Sequence, residues 1–314
     1  MFVVCGEAVW DLFGSEGDGG LAFDARMGGS PFNVAVGLAR LGKPAALFTA
    51  LSTDRLGQRL YDALAAEGVA TALLVRRTRP TTLSLVDVGA NGGPVYAFYG
   101  EGAADRAIVH GDLPGLDPAV WGVHAGSYSL VVEPVGSALL ALFAREAGQR
   151  LLTLDPNVRL TAEPDAARWR TRVERFVAHA DLVKVSDEDL AQLYPGAGPA
   201  AVAAHWRDLG AALVVVTRGA RGAEAFGPTG TVPAPGRIVT VADTVGAGDT
   251  FQAALIAALA ERGVRTRAAL AALDPGALAQ ILDFAVAAAA ITCSRRGADL
   301  PRRAELPWPA RDTR

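Results

Sequence analysis

Asp249 is a carboxylate that directly follows three small residues, Gly246, Ala247 and Gly248, at the start of a long apolar run. The run lacks strand-like alternation, so it predicts a tight loop that opens into a buried helix. An anion would bind well there, because small residues admit a ligand and the first helical turn leaves its N–H groups unpaired. A carboxylate beside a bound anion is repelled unless it has a task, such as taking the proton from a hydroxyl next to a phosphate. The alternative role for Asp249 is to cap the helix, since Asp is common at helix starts.

The elements that would position this loop alternate between strands and helices. From Ala119 onward, strands such as L-L-T-L-D and L-V-V-V-T are separated by helical segments, which predicts a parallel sheet covered on both faces. Asp11 follows the first strand, Val3 to Val9, where open α/β sheets place ligand-contacting residues. The segment from Val69 to Tyr99 alternates instead, and it predicts an antiparallel hairpin that forms a small lid together with residues 14–26.

Composition excludes several functional classes. The net charge of -3 gives no electrostatic reason to bind nucleic acid or an anionic membrane. The N-terminus M-F-V-V-C-G-E lacks the basic region of a signal peptide, and no uncharged stretch approaches the roughly 20 residues of a membrane helix. Cys5 and Cys293 lie far apart in apolar runs, which is typical of free thiols in a reducing compartment. We therefore expect a cytoplasmic protein that binds neither nucleic acid nor a membrane.

Two motifs together resemble a known family. G-A-G followed by D-T-F at the head of an apolar helix resembles the second signature of the ribokinase (PfkB-type) family of sugar kinases, which includes the fructokinases. G-G-S-P-F-N, from Gly28 to Asn33, matches the first signature and precedes the second, as in the family. The resemblance implies one ribokinase-like α/β domain over residues 1–314. Its doubly wound, mostly parallel sheet would carry helices on both faces and a small β-sheet lid formed by residues 14–26 and 69–100.

The resemblance also implies which residues bind a sugar. Asp11 matches the family's sugar-binding aspartate, and a carboxylate suits bidentate hydrogen bonds to hydroxyl groups. Gly28 and Gly29 would let the backbone approach the sugar, and Asn33 would offer it both a donor and an acceptor. The alternative interpretation of Asp11 is a residue in a surface turn. The alternative for the segment from Gly28 to Asn33 is a simple glycine turn before a helix.

The segment D-P-N-V-R, which ends at Arg159, resembles the fructokinases and the 2-keto-3-deoxygluconate kinases in particular. Many relatives carry a sugar-facing arginine where this chain has Gly100. Arg159 would compensate for that missing arginine; the alternative is a structural or solvated ion pair.

Two further segments are similar to the parts of the family that hold ATP. T-R-G-A-R-G resembles the loop that binds the phosphates and ribose, and it contributes Thr217, Gly219 and Gly222. K-V-S-D-E-D stands where many members read Asn-x-x-Glu and position Mg²⁺, with Ser186 and Asp189 in place of those residues. Asp189 is one methylene shorter than Glu, which suits contact with magnesium through water. The alternative is an ordinary helix start, where the helix dipole favours acidic residues.

The family often binds a monovalent cation through backbone carbonyls near the catalytic loop. For K⁺ in this chain, the corresponding residues are Asp243, Val245, Thr292 and Gly297.

We therefore predict an ATP-dependent sugar kinase that transfers the γ-phosphoryl group to a primary hydroxyl of a monosaccharide. Asp249 would act as the base, and the N–H groups of Gly246, Ala247 and Gly248 would hold the charge of the transferring group. Fructose, giving fructose 6-phosphate, is the leading substrate. Ribokinase or 2-keto-3-deoxygluconate kinase activity and, in a different class, a non-catalytic sugar-binding protein are the alternatives. The second face of the lid hairpin would cover a partner's lid in a homodimer, or else face solvent.

Overall fold

The structure, a computed structural model, describes residues 1–17, 20–88 and 94–306. The strands in chain order are β1 (Phe2–Cys5), β2 (Val9–Gly17), β3 (Gly20–Gly28), β4 (Ala45–Ser52), β5 (Leu74–Arg77), β6 (Leu83–Val88), β7 (Pro94–Tyr99), β8 (Gly122–Gly126), β9 (Leu151–Asp155), β10 (Leu182–Ser186), β11 (Leu213–Thr217), β12 (Ala223–Gly227) and β13 (Gly230–Ala234). The α-helices are α1 (Ser30–Arg40), α2 (Arg55–Ala66), α3 (Val135–Glu146), α4 (Ala166–Val177), α5 (Asp187–Leu193), α6 (Pro199–Leu209), α7 (Ala247–Glu261), α8 (Arg267–Ala271) and α9 (Pro275–Cys293).

The large sheet has the strand order β13-β12-β11-β10-β9-β8-β1-β4-β5. All neighbours from β5 to β11 are parallel, and only β12 and β13, at one edge, are antiparallel. This confirms the predicted mostly parallel sheet. The chain runs from β1 towards β4 and β5 on one side and then continues from β8 on the other, so the strand order reverses at β1. Open α/β sheets bind ligands at the carboxyl ends of the strands beside such a reversal.

Both faces of the large sheet are covered. Alternate residues of β1 point to opposite faces, so Phe2 and Val4 join one apolar cluster while Val3 and Cys5 join another. The first cluster includes α1, α2, α7 and α9, and the second includes α3, α4 and α6. Residues 249–260 of α7 are all buried, which explains why this helix is apolar nearly all the way round.

A second, smaller sheet has the strand order β3-β2-β6-β7. The β6–β7 hairpin is antiparallel as predicted, and β6 pairs with β2 in parallel. The described strands of this sheet are Val9–Gly17, Gly20–Gly28, Leu83–Val88 and Pro94–Tyr99, so the sheet extends beyond the predicted 14–26 at both ends and begins later than the predicted 69, whereas its end lies within one residue of the predicted 100. The segment containing β5 was assigned to the lid, but it pairs with β4 at the edge of the large sheet. Residues 18–19 and 89–93 of the predicted lid lie outside the described residues.

The helix α9 is long and apolar enough to cross a membrane, judged by length and composition alone, and no other helix of the described residues is. It packs inside this domain, where Leu278, Ile281, Leu282 and Ala285 belong to the same apolar cluster as α7. Burial against α7 therefore accounts for its composition.

Close packing between α1 and α7 depends on Gly37. A Cβ atom at Gly37 would lie 2.7 Å from the Cβ of Ala253 in α7 and 2.5 Å from the Cδ2 of Leu300. We expect Gly37→Ala to lower the free energy of unfolding by about 1–3 kcal/mol through overpacking, although Ala favours a helix by about 1 kcal/mol. Urea denaturation measures the change.

Gly276→Ala is the matched control, because Gly276 is an exposed helical glycine at the start of α9. Its free energy of unfolding should stay within about 0.5 kcal/mol of the unmodified protein. Equal stability of the two variants would show that α1 and α7 separate without cost.

Candidate active site

The loop before α7 presents unpaired backbone N–H groups. Gly246 precedes the helix with a φ of 77°, and a Cβ atom there would lie 2.6 Å from the Cβ of Ala298, so only glycine fits. The first helical hydrogen bond runs from the Thr250 amide to the Gly246 carbonyl, at 2.8 Å. Within the described part of the chain, the amides of Gly246 and Gly248 have no acceptor, and that of Ala247 makes only a 3.3 Å contact with the Thr244 carbonyl. The start of α7 can therefore bind an anion.

Asp249 lies in the first turn of α7 and points across to α1. Its Oδ1 accepts a hydrogen bond from the Ser30 hydroxyl at 2.6 Å, and its Oδ2 accepts one from Asn33 Nδ2 at 2.8 Å. Asp249 makes no capping hydrogen bond to its own helix, so the alternative role as a helix cap is wrong. Ser30 and Asn33 are three residues apart in the first turn of α1 and share a face, which lets both reach the same carboxylate.

A cleft opens at the carboxyl end of β1. Its lining includes six residues that the sequence analysis selected for the catalytic and sugar-binding roles, Asp11, Gly29, Asn33, Arg159, Gly246 and Asp249, and also Asn157 of the quoted segment D-P-N-V-R. Val245, predicted to bind a cation, also lines the cleft. Gly28 is not part of the lining, but it lies against Asp11, since a Cβ atom at Gly28 would come within 2.0 Å of Asp11 Oδ2. The structure therefore brings the predicted sugar-binding residues together with the predicted base.

Several residues of the cleft were not predicted. Glu7 and Ser30 flank predicted positions, while Ser127 and Tyr128 directly follow β8. Ser127 and Asn157 are the non-glycine residues with positive φ in the described chain, at 59° and 39°. Strained residues cluster at ligand sites, and both lie at strand ends that border the cleft. Their position directly after apolar strands was the available signal in the sequence.

Carboxyl groups dominate one side of the cleft. Glu7 is buried and accepts a hydrogen bond from the Ser129 hydroxyl at 2.5 Å, and burial raises its pKa to about 7. Burial also raises the pKa of Asp11 to about 6; the charge of Arg159 opposes this increase and that of Asp249 adds to it. Both carboxyl groups line the cleft, so they can accept hydrogen bonds from the hydroxyl groups of a ligand.

The residues predicted to hold the nucleotide lie at neighbouring strand ends, outside the lining of this cleft. Ser186 and Thr217 are paired in register at the ends of β10 and β11. The Ser186 hydroxyl caps α5 by accepting from the Asp189 amide at 3.0 Å, as expected for an ordinary helix start. Gly219 and Gly222 bound a 3₁₀ turn that an ion pair between Arg221 and Asp187 connects to the same helix. Their role in binding ATP stays a prediction.

The residues predicted to bind a cation surround the start of the loop. The Asp243 carboxylate accepts hydrogen bonds from the amides of Val245 at 3.0 Å and Gly297 at 2.8 Å. The Thr292 hydroxyl bonds to that of Thr250 at 2.8 Å. These contacts join the segment after α9 to the loop before α7, so they fix the shape of the loop.

Comparison with known proteins gives consistent matches. A family model described as pfkB family carbohydrate kinase matches residues 2–305. A fructokinase of Rhizobium leguminosarum bv. trifolii is 40% identical over 313 residues, which cover 99% of this chain and 94% of that protein. The structure of a fructokinase from Xylella fastidiosa with bound ATP has a TM-score of 0.87 at 28% identity, with 98% and 94% of the two chains covered.

A second solved structure shows a Vibrio cholerae fructokinase in a form that binds fructose, ADP and a calcium ion. Its TM-score is 0.80 at 26% identity, with 95% of this chain and 94% of that chain covered. These matches confirm the predicted ribokinase-like fold.

Glu7 should make the stability of the ligand-free protein depend on pH. Its pKa is 4.5 in an unfolded chain and about 7 in the folded protein, so between these values the folded protein keeps a proton that the unfolded chain has released. The contribution of Glu7 to the free energy of unfolding therefore falls as the pH rises through this range, by about 3 kcal/mol in total. Glu7→Gln cannot ionise, and we expect it to be more stable than the unmodified protein at pH 8 but not at pH 5.

Urea denaturation of both proteins at the two pH values measures this difference. Asp11 and Asp155, with raised pKa values, and His124, with a lowered one, also respond to pH, but both proteins contain them and their effects cancel. A difference in stability that is the same at pH 5 and pH 8 would contradict the prediction.

Proposed function

The chain belongs to the pfkB family of carbohydrate kinases, and we propose that it phosphorylates fructose at a primary hydroxyl to give fructose 6-phosphate. ATP-dependent phosphorylation of a sugar is the general activity of this family. One observation carries the proposal for the site: the Asp249 carboxylate is oriented into a polar cleft, directly beside backbone amides that have no acceptor in the described protein.

Asp249 is the base in this proposal. Its two hydrogen-bond donors, Ser30 and Asn33, are uncharged, so they fix its orientation and leave its negative charge available. The carboxylate takes the proton of the sugar hydroxyl as the oxygen of that hydroxyl attacks the γ-phosphorus, and the bond between this phosphorus and the β,γ-bridging oxygen breaks, so that ADP leaves. The amides of Gly246 and Gly248 donate hydrogen bonds to the transferring group, where negative charge must be stabilised. The Ala247 amide, predicted to act with them, is free to do so when it leaves its long contact with Thr244.

Asp11 and Glu7 hold the sugar on the opposite side of the cleft. Carboxyl groups accept hydrogen bonds from the hydroxyl groups of a neutral polyol, and Asn33 keeps its Oδ1 for the same purpose because Nδ2 binds Asp249. Arg159 also lines the cleft and is placed to donate to the sugar. The fructose bound in the Vibrio cholerae relative supports this choice of substrate over ribose or 2-keto-3-deoxygluconate.

ATP binding is proposed at the ends of β10 and β11, through Thr217, Gly219 and Gly222. Asp189 fits the water-mediated Mg²⁺ contact, since its Oδ1 accepts from the Val158 amide at 3.0 Å and its Oδ2 remains for another ligand. Mg²⁺, when bound, would neutralise phosphate charge. Activation by K⁺ is also proposed. Both Asp243 oxygens already accept amide hydrogen bonds, so the cation would be bound by backbone carbonyls.

A homodimer through the small sheet is proposed from three exposed apolar side chains. Leu21 and Phe23 on β3 and Tyr99 on β7 are 64%, 43% and 62% exposed. Phe98 faces the cleft, so its neighbour Tyr99 lies on the opposite face of the sheet. A cytoplasmic location is proposed from the two free cysteines, Cys5 and Cys293.

The test of function is a screen for sugar-dependent ADP release at fixed magnesium, with fructose, ribose, 2-keto-3-deoxygluconate and a nucleoside. Fructose should give the highest kcat/KM. A higher kcat/KM for another sugar would identify that sugar, and not fructose, as the substrate. Sugar binding in a calorimeter without ADP release from any sugar would identify a non-catalytic sugar-binding protein instead.

Asp249→Asn should lower kcat about a hundredfold or more, because it removes the base while it keeps the size of the side chain. The KM values for sugar and ATP should stay near those of the unmodified protein. Asp274→Asn is the matched control, since Asp274 also lies at the start of an apolar helix but only caps α9. A kcat within a few fold of normal in Asp249→Asn would rule out Asp249 as the base.

Asp11→Ala should raise the KM for the sugar about tenfold or more and leave the KM for ATP unchanged, because it removes a charged hydrogen-bond acceptor. Asp24→Ala, on the exposed surface of the same small sheet, is the control and should change neither constant. Steady-state kinetics at varied sugar concentration measures the effect. An unchanged KM for the sugar would remove Asp11 from the binding site.

A further inference from the structure

A buried ion pair lies behind the loop that precedes α7. Lys184 of β10 and Asp155 at the end of β9 are on neighbouring parallel strands, and Lys184 Nζ lies 2.8 Å from Asp155 Oδ2. The side chains are only 4% and 0% exposed. Neither residue lines the cleft or has a role in the mechanism above.

The ammonium end of this pair faces the loop. A Cβ atom built on Gly248 would lie 3.0 Å from Lys184 Nζ, and no other heavy atom outside its chain neighbours and its own helix backbone would come within 4 Å of it. The positive charge is thus next to the backbone of the residue whose amide lacks an acceptor, while the Asp155 carboxylate lies farther away. Among the described residues, Asp155 is the one hydrogen-bond partner of an ammonium group that has three donors.

The groups around the ion pair do not explain why Lys184 is buried as a charged side chain. The His124 ring is close enough for Lys184 and burial to lower its pKa to about 3, so it is neutral and cannot balance either charge. Asp155 Oδ1 is buried without a hydrogen-bond partner in the described protein, as are His124 Nε2 and Gln252 Oε1. Unsatisfied buried atoms are unfavourable, and an apolar pair is often as stable as a buried ion pair. Stability alone therefore gives no reason for Lys184.

We propose that Lys184 is a positioning residue for phosphoryl transfer: its ammonium, held by Asp155 behind Gly248, supplies a buried positive charge to the loop that receives the transferring group. The helix start and the ammonium then act on the same anion, in a region of low dielectric where a charge acts strongly. This role rests on the proposed kinase function and extends it to a residue outside the cleft.

The direct test is Lys184→Met, which keeps the length of the side chain and removes its charge. We expect kcat to fall about a hundredfold, the usual effect of losing one preorganised group that stabilises developing charge. The KM for the sugar should change by less than about threefold, since Lys184 does not line the sugar cleft.

The double variant Lys184→Met/Asp155→Asn separates this role from a structural one. Lys184→Met alone leaves Asp155 as an uncompensated buried charge, so the melting temperature should fall. The double variant removes both charges, and its melting temperature should recover. If Lys184 acts on the transferring group, kcat stays about a hundredfold low in the double variant; if kcat recovers with the melting temperature, the proposal is overturned.

Arg150→Met is the matched control for breaking a largely buried ion pair. Arg150 Nε lies 2.7 Å from Glu146 Oε2, with side chains 12% and 7% exposed, and neither residue lines the cleft. Arg150→Met should lower the melting temperature and leave kcat unchanged. A loss of kcat in Arg150→Met equal to that in Lys184→Met would show that destabilisation alone lowers activity, and it would overturn the proposal.

A binding experiment decides the question without turnover. Calorimetry with ADP and with the non-hydrolysable analogue AMP-PNP, each with Mg²⁺, measures what the terminal phosphate adds to affinity. Lys184→Met should bind AMP-PNP about tenfold more weakly than the unmodified protein and bind ADP equally well. No loss for either ligand, or an equal loss for both, overturns the role of Lys184. Absence of ADP release from the unmodified protein with every sugar would instead refute the proposed function, and this binding result would still stand.

Discussion

The contact between the first turns of α1 and α7 is the constraint on which the site depends. A buried carboxylate needs hydrogen bonds, and the two that Asp249 accepts come from the side chains of Ser30 and Asn33. Because these donors are neutral, they satisfy the carboxylate without pairing its charge. Because they belong to another helix, the direction of the carboxylate is set by how α1 and α7 pack. A ligand in the cleft therefore meets a carboxylate whose orientation is fixed before the ligand arrives.

Packing away from the cleft maintains that contact. Gly37 allows α1 to approach Ala253 of α7, so the two helices stay close over more than their first turns. At the start of α7, Asp243 binds the amides of Val245 and Gly297 and so holds the loop against the segment that follows α9. The loop with its free amides is thus held by the packing of α7 on α1 and by the segment that follows α9. This rigidity suits a site that stabilises charge through groups already in place.

Short patterns in the sequence were enough to predict the loop and the sheet, because both are encoded in local stretches. The apolar run after Asp249 required a buried helix, and alternating strands and helices required a parallel sheet. The partners of Asp249 were not predictable, since Ser30 and Asn33 reach it only through the packing of two distant helices. Glu7 and Ser127 enter the cleft because β1 and β8 are neighbours, and strand order is not a local property. The same limit explains the error at β5, an edge strand of intermediate burial whose pattern does not reveal which sheet it joins.

The charges of the site separate the cleft into two regions. On one side Glu7 and Asp11 both line the cleft, and desolvation raises the pKa of each, which makes their ionisation less favourable than in water. A ligand that donates hydrogen bonds and carries no negative charge lowers that energy, whereas an anion would raise it. On the other side, the amides of Gly246 and Gly248 can donate hydrogen bonds to an anion but cannot accept one from a hydroxyl group. Asp249 is next to both regions, since it follows the amides in the chain and its charge acts on Asp11 across the cleft lining. Transfer from an anionic donor to a neutral hydroxyl is the reaction that this division of charge favours.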